Sequence, residues 1–205
     1  MPFFKTTDDI SLFYNDWGTG RPVVLIHGWP LNADFWEPRS TYLAANGFRV
    51  IAYDRRGFGR SEQPWTGYDY DTLADDLDAL MQHLDLHETT LVGFSMGGGE
   101  VARYVSRHGT ARVAQAALMS AVTPSLKKTD DNPDGIDQSV FDGLLKALEE
   151  DRHEFPSDFR EGFFNGASAE PAVSRGVLEW YSFLASQASL RAIIECARAW
   201  SDTDL

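Results

Sequence analysis

Cysteine is nearly absent: one residue in 205, Cys196, carries a thiol, which excludes an intrachain disulfide and fits a reducing compartment. Basic residues are scarce. Eighteen Lys and Arg stand against 31 Asp and Glu, for a net charge of −13, a balance that argues against binding nucleic acid or an anionic membrane surface. No stretch approaches the ~18 consecutive apolar residues of a membrane-spanning helix. Met1-Pro2-Phe3-Phe4-Lys5-Thr6 lacks a charged segment followed by an apolar one, so a cytoplasmic protein is expected. A metal framework is missing too: His-Glu-x-x-His does not occur, a single cysteine cannot build a zinc ribbon, and the five histidines are scattered. His83 and His87 lie four apart near the end of a predicted helix, but with no third ligand nearby they read as solvated side chains.

The length suits one domain able to bury a real core. Residues 3 to 6 and 11 to 17 predict two short strands. Pro22-Val23-Val24-Leu25-Ile26 is a continuous apolar run of the kind found in strands buried on both faces, and 48–53, 89–92 and 113–119 repeat it. Leu73, Leu77, Leu80, Met81 and Leu84 share one helical face, with Asp71 or Thr72 as the expected cap. Alternating strand and helix predicts a doubly wound, mostly parallel α/β sheet, whose ligands bind beyond the carboxyl ends of the strands. From Thr123 the character changes. A polar loop, Asp130 to Gly135, precedes an amphipathic helix with Val140, Phe141, Leu144, Leu145 and Leu148 on one face. The expected organisation is a core over 1–122, an all-helical cap over 123–200 and a linker beginning at 201–205.

Residues 89 to 99, Thr-Thr-Leu-Val-Gly-Phe-Ser-Met-Gly-Gly-Gly, run from a predicted strand through Gly93-Phe94-Ser95-Met96-Gly97 into helix-like sequence. This has the form of a nucleophile elbow, a sharp strand-to-helix turn that exposes the serine hydroxyl beside a helix N-terminus. A side chain at 93 or 97 would collide with the neighbouring backbone. The pentapeptide alone is weak, and its context carries the reading: His27-Gly28-Trp29-Pro30 and Asp54-Arg55-Arg56-Gly57-Phe58-Gly59-Arg60-Ser61 also follow predicted strands.

In order and spacing these three motifs resemble the α/β-hydrolase fold over essentially the whole chain. His-Gly-Trp-Pro-Leu-Asn-Ala-Asp, Tyr-Asp-Arg-Arg-Gly-Phe-Gly and Gly-Phe-Ser-Met-Gly-Gly-Gly-Glu resemble the cofactor-free (non-haem) haloperoxidase, arylesterase and perhydrolase group, with γ-lactamases as close relatives. The resemblance implies a serine hydrolase of small carboxylic esters, needing no cofactor and no metal. Ser95 would be the nucleophile that forms an acyl-enzyme, and the backbone N–H groups of Trp29 and Met96 would form the oxyanion hole. His27 would be a structural part of that loop. Pro30 belongs to the Gly-Trp-Pro form that accompanies perhydrolysis, in which hydrogen peroxide replaces water and yields a peracid able to oxidise halide. Trp29, Pro30, Phe94, Val122, Phe159 and Phe163 would line a small apolar acyl site. A homo-oligomer, dimer or trimer, is a family-level expectation.

The pattern breaks at the triad, which in this fold runs Ser, then Asp or Glu, then His. No histidine follows His153. Asp130 or Asp131 could supply an acid only weakly, and His108 and His153 are poorly placed bases. Without its base a serine nucleophile loses about a millionfold in turnover. The run 113–119 would also be left as an exposed apolar edge. The sequence therefore suggests one part of a longer hydrolase, with the triad Asp and His on a further segment. The competing readings are an inactive binding or scaffold protein that keeps the cap pocket, and a γ-lactam hydrolase.

Overall fold

The structure, a computed structural model, describes residues 2–154, 163, 164 and 173–205. Six strands, β1 (Phe3–Lys5), β2 (Ser11–Trp17), β3 (Arg21–Ile26), β4 (Phe48–Tyr53), β5 (Thr89–Phe94) and β6 (Val113–Met119), form one sheet in the order β1-β2-β4-β3-β5-β6. β1 and β2 run antiparallel to their neighbours, while β4, β3, β5 and β6 are mutually parallel. All six occur where strands are predicted from the sequence.

The continuous apolar run of β3 follows from burial on both faces. Val24 and Ile26 pack with Leu77, Leu80 and Leu91 on one side, while Val23 and Leu25 pack with Trp36, Val50 and Ala52 on the other, the two-residue alternation of a strand. Helix α1 (Glu37–Ala45) joins β3 to β4, while α2 (Tyr70–His83) and α3 (Met96–His108) pack against each other. The α2 cap lies two residues before the expected Asp71: Asp69 accepts the Thr72 N–H at 2.9 Å. Its extended backbone fits the cap position, whereas Asp71 is already inside the first turn.

β6 departs from the expectation of a strand buried on both faces. Residues 114–119 are exposed, with Leu118 and Met119 at 49% and 47%, because among the described residues nothing pairs with its outer edge. Beyond it a loop, touched by one bridge between Lys127 and Ile136, leads to α4 (Gln138–Glu150). α5 (Arg175–Ser186) and α6 (Leu190–Asp202) follow. Cys196 is buried on α6, and burial pushes its thiol up to about 12.

The helical layer is tied over the carboxyl ends of the strands by specific bonds. Trp29 Nε1 donates to the Ile193 carbonyl at 2.9 Å, Asn32 Nδ2 to Gln187 Oε1 at 2.5 Å, and the Ser189 N–H to the Gly57 carbonyl at 2.8 Å.

Candidate active site

At the carboxyl end of β5 the chain reverses through Ser95, whose backbone lies at φ 54° and ψ −119°. A non-glycine residue there costs on the order of 1–3 kcal/mol and persists only where its surroundings hold it. The surroundings are explicit. The Ser95 N–H donates to the Met119 carbonyl at 2.9 Å, and its carbonyl accepts from Gly98 and Val122 at 2.9 and 3.3 Å. Glycine is required on either side: a Cβ at Gly93 would stand 2.3 Å from the Gly97 oxygen, and one at Gly97 2.5 Å from that of Ile26. Ser95 precedes the first residue of α3, yet its hydroxyl makes no capping bond. The Met96 N–H lies in the first turn of that helix, where the macrodipole favours negative charge.

The loop after β3 lies against this turn. A Cβ on Gly28 would approach Phe94 Cδ1 to 2.8 Å and Ser95 Cβ to 3.2 Å. The Trp29-Pro30 peptide is cis, and the Leu31 N–H closes a tight turn on the Gly28 carbonyl at 3.0 Å. Buried Asp54 braces the same loop from β4: Oδ1 accepts the Ala33 N–H at 2.8 Å, and Oδ2 accepts the N–H and Nε of Arg60, each at 2.8 Å.

A cavity of about 270 Å³ opens beside Ser95. Its walls bring together Ser95 with Trp29, Phe94, Val122 and Phe163, four of the residues named from the sequence for an acyl site, and add Phe141, Tyr181 and Trp200. Trp29 and Trp200 meet edge to face at 5.8 Å, and Phe94 and Phe163 at 6.4 Å. Burial raises the Tyr181 hydroxyl above its ordinary pKa, so it stays protonated at neutral pH. Phe159 lies outside the described residues. Pro30 is buried in its loop but is not among the cavity's described walls.

No charged side chain is among those walls, and no histidine. His27 is fully buried, and desolvation, aided by the Arg55 charge, lowers its pKa well below the usual 6.5. His108 bonds Asp75 at 2.8 Å at the far end of α3. Asp130 and Asp131 are exposed. Among the described residues no cluster of three His, Cys, Asp or Glu side chains could hold a metal ion.

Beneath the two loops runs an ion pair that the sequence did not single out, although its members stand inside the quoted motifs. Arg55 and Glu100 are both fully buried. Arg55 Nε donates to Glu100 Oε2 at 2.8 Å, its Nη2 donates to the His27 carbonyl at 2.9 Å, and the Tyr53 hydroxyl donates to Glu100 Oε1. Burial pushes the Glu100 carboxyl well above its ordinary range.

Residues 21–175 match the model of the alpha/beta hydrolase fold family. The chain belongs to the α/β-hydrolase family. This hydrolase is 46% identical over 204 residues to a non-heme chloroperoxidase of Kitasatospora aureofaciens, a match covering 100% of the chain and 74% of that relative. It is 44% identical over 185 residues to a bifunctional esterase/perhydrolase of Acinetobacter calcoaceticus, covering 88% of the chain and 67% of the relative. An esterase of Exiguobacterium antarcticum superimposes with a TM-score of 0.93 at 36% identity, over 99% of this hydrolase and 74% of that chain. Among the described residues of the hydrolase, no helix is long and apolar enough to cross a membrane.

Proposed function

We propose that this hydrolase cleaves small, uncharged carboxylic esters through an acyl-enzyme on Ser95, and that hydrogen peroxide can replace water in the second half-reaction. The observation that carries the reading is Ser95 itself, held at positive φ between β5 and α3 on the wall of an apolar cavity. Ser95 Oγ attacks the ester carbonyl carbon and gives up its proton. The carbonyl oxygen becomes an oxyanion, held by the backbone N–H groups of Trp29 and Met96. Collapse expels the alkoxide, which takes up the proton that Ser95 gave up and departs as the alcohol, and leaves the acyl group on Oγ. Water then releases a carboxylic acid, or hydrogen peroxide a peracid, and Oγ recovers its proton. The uncharged walls favour neutral acyl groups, since an unpaired carboxylate there would be desolvated without compensation. The peroxide branch rests on Pro30 in its Gly-Trp-Pro loop and on the relative named an esterase/perhydrolase.

The proton acceptor for Ser95 has no counterpart among the cavity's described walls. That observation favours a second reading, in which the cavity binds a small apolar ligand and Ser95 is only a polar contact. One experiment separates the two. An organophosphonate should add a single adduct at Ser95 by mass spectrometry. Turnover of 4-nitrophenyl acetate should fall at least about a thousandfold in Ser95→Ala and be untouched by EDTA. Ligand binding with no adduct and no turnover, or a Ser95→Ala protein within about tenfold of the parent, would rule out the enzymatic reading.

A further inference from the structure

Among the described walls of the cavity, only Ser95, Trp29, Tyr181 and Trp200 carry a polar side-chain atom. Trp29 Nε1 is committed to the Ile193 carbonyl at 2.9 Å, and Trp200 Nε1 is shut in without a partner. Besides the nucleophile, that leaves the Tyr181 hydroxyl. Tyr181 is 4% exposed, yet its hydroxyl has no hydrogen-bond partner among the described residues and is not shut in as Trp200 Nε1 is. Burial alone raises its pKa, with no charge or donor beside it contributing.

The ring itself is well fixed. Tyr181 belongs to α5, in a cluster with Leu31 and Leu184. Phe163 lies nearly parallel to it at 6.2 Å and Phe164 meets it edge to face at 5.1 Å. Phenylalanine would pack in this setting equally well. A desolvated hydroxyl with no partner is unfavourable until a bound molecule supplies an acceptor. We propose that the Tyr181 hydroxyl faces the cavity and sets specificity, donating a hydrogen bond to a neutral ether, ketone or hydroxyl oxygen that the substrate carries apart from its scissile ester. The preferred substrate is then an oxygen-bearing ester, and a plain alkyl ester of the same shape leaves the donor unpaired. This class rests on the acyl-enzyme reading of Ser95.

Two pairs of esters, each differing by one methylene exchanged for oxygen, test it. Ethyl pentanoate against ethyl 3-methoxypropanoate varies the acyl chain, and butyl acetate against 2-methoxyethyl acetate varies the alcohol. Each is titrated into Ser95→Ala protein by tryptophan fluorescence, with Tyr181 present and as Tyr181→Phe, and turnover of the same esters is followed in the parent. In at least one pair Tyr181→Phe should reduce the preference for the oxygen member, as a ratio of Kd values, about tenfold. A shift in the first pair puts the oxygen on the acyl chain, and one in the second puts it on the alcohol. Changes below about twofold in both pairs would overturn the proposal. So would a protein with Tyr181 intact that binds the carbon member more than about tenfold tighter in both pairs, as an apolar cavity without a donor would, a result that does not depend on Tyr181→Phe folding. The titration needs no turnover, so a parent that cleaves none of the esters sinks the acyl-enzyme reading while the binding preference still reports on Tyr181.

Discussion

A histidine in the loop packed against Ser95 invites reading as a base for that serine, and the geometry of His27 argues against it. Its ring is buried, uncharged and bonded at both nitrogens. This has a thermodynamic signature. In the unfolded chain His27 binds a proton near pH 6.5, whereas in the fold its pKa lies well below that value, so the unfolded state binds more protons as the pH falls. The stability contributed is present above 6.5 and is lost on acidification, by up to about 1.4 kcal/mol per pH unit for one proton. The groups facing the ring are the Arg55 guanidinium and, beyond it, the Glu100 carboxylate. Asp76, raised to about 6 by burial, acts with the opposite sign below that pH, so a comparison of variants is needed. Urea unfolding at pH 7.5 and 6 should show a larger acid loss for the parent than for His27→Asn, whose amide does not titrate. Equal slopes would mean that His27 titrates normally.

β6 shows how an element can form where its sequence demands and still be in an environment the sequence does not fit. Val-Ala-Gln-Ala-Ala-Leu-Met has no charge, proline or glycine, and it pairs with β5 from Val113 to Met119, with one irregularity that skips Ala114. Among the described residues no strand pairs with its other edge, which is flanked by apolar side chains, the arrangement that templates pairing with another strand. Leu118→Lys, at the most exposed of its large side chains, should shift the protein toward a single monodisperse species in light scattering at matched concentration. An unchanged size distribution would show that this edge does not drive association. The α2 cap makes the complementary point: Asp69 and Asp71 are both plausible by type, and backbone conformation at the entry to the helix chose Asp69.

Across the molecule, the parts of the candidate site come from loops after four parallel strands and from the helices above them, and buried polar contacts hold these together. The Arg55–Glu100 pair ties the loop after β4 to α3 and to the loop after β3. Removing one partner leaves an uncompensated charge in the core, at a cost of about 3–5 kcal/mol, a large share of the ~5–15 kcal/mol that stabilises a typical domain. Glu100→Ala should therefore lower the urea midpoint sharply, and replacing Arg55 with Met in the same chain should restore part of the loss. A Glu100→Ala change below about 1 kcal/mol would show the pair to be dispensable.

Much of this was readable in advance. Apolar runs of strand length, helical faces of 3.6 periodicity and glycines flanking Ser95 are local constraints, each satisfied within a few residues, so the strands, the elbow and four of the five described wall residues named from sequence could be found there. The burial of His27 between Arg55 and Phe58, the pairing of Arg55 with Glu100 across 45 positions, the convergence of Tyr181 and Trp200 on Ser95 and the bare face of β6 carry no local pattern. They depend on which surfaces meet once the sheet is assembled, because burial, desolvation and hydrogen-bond partners belong to neighbours in space and not to neighbours along the chain.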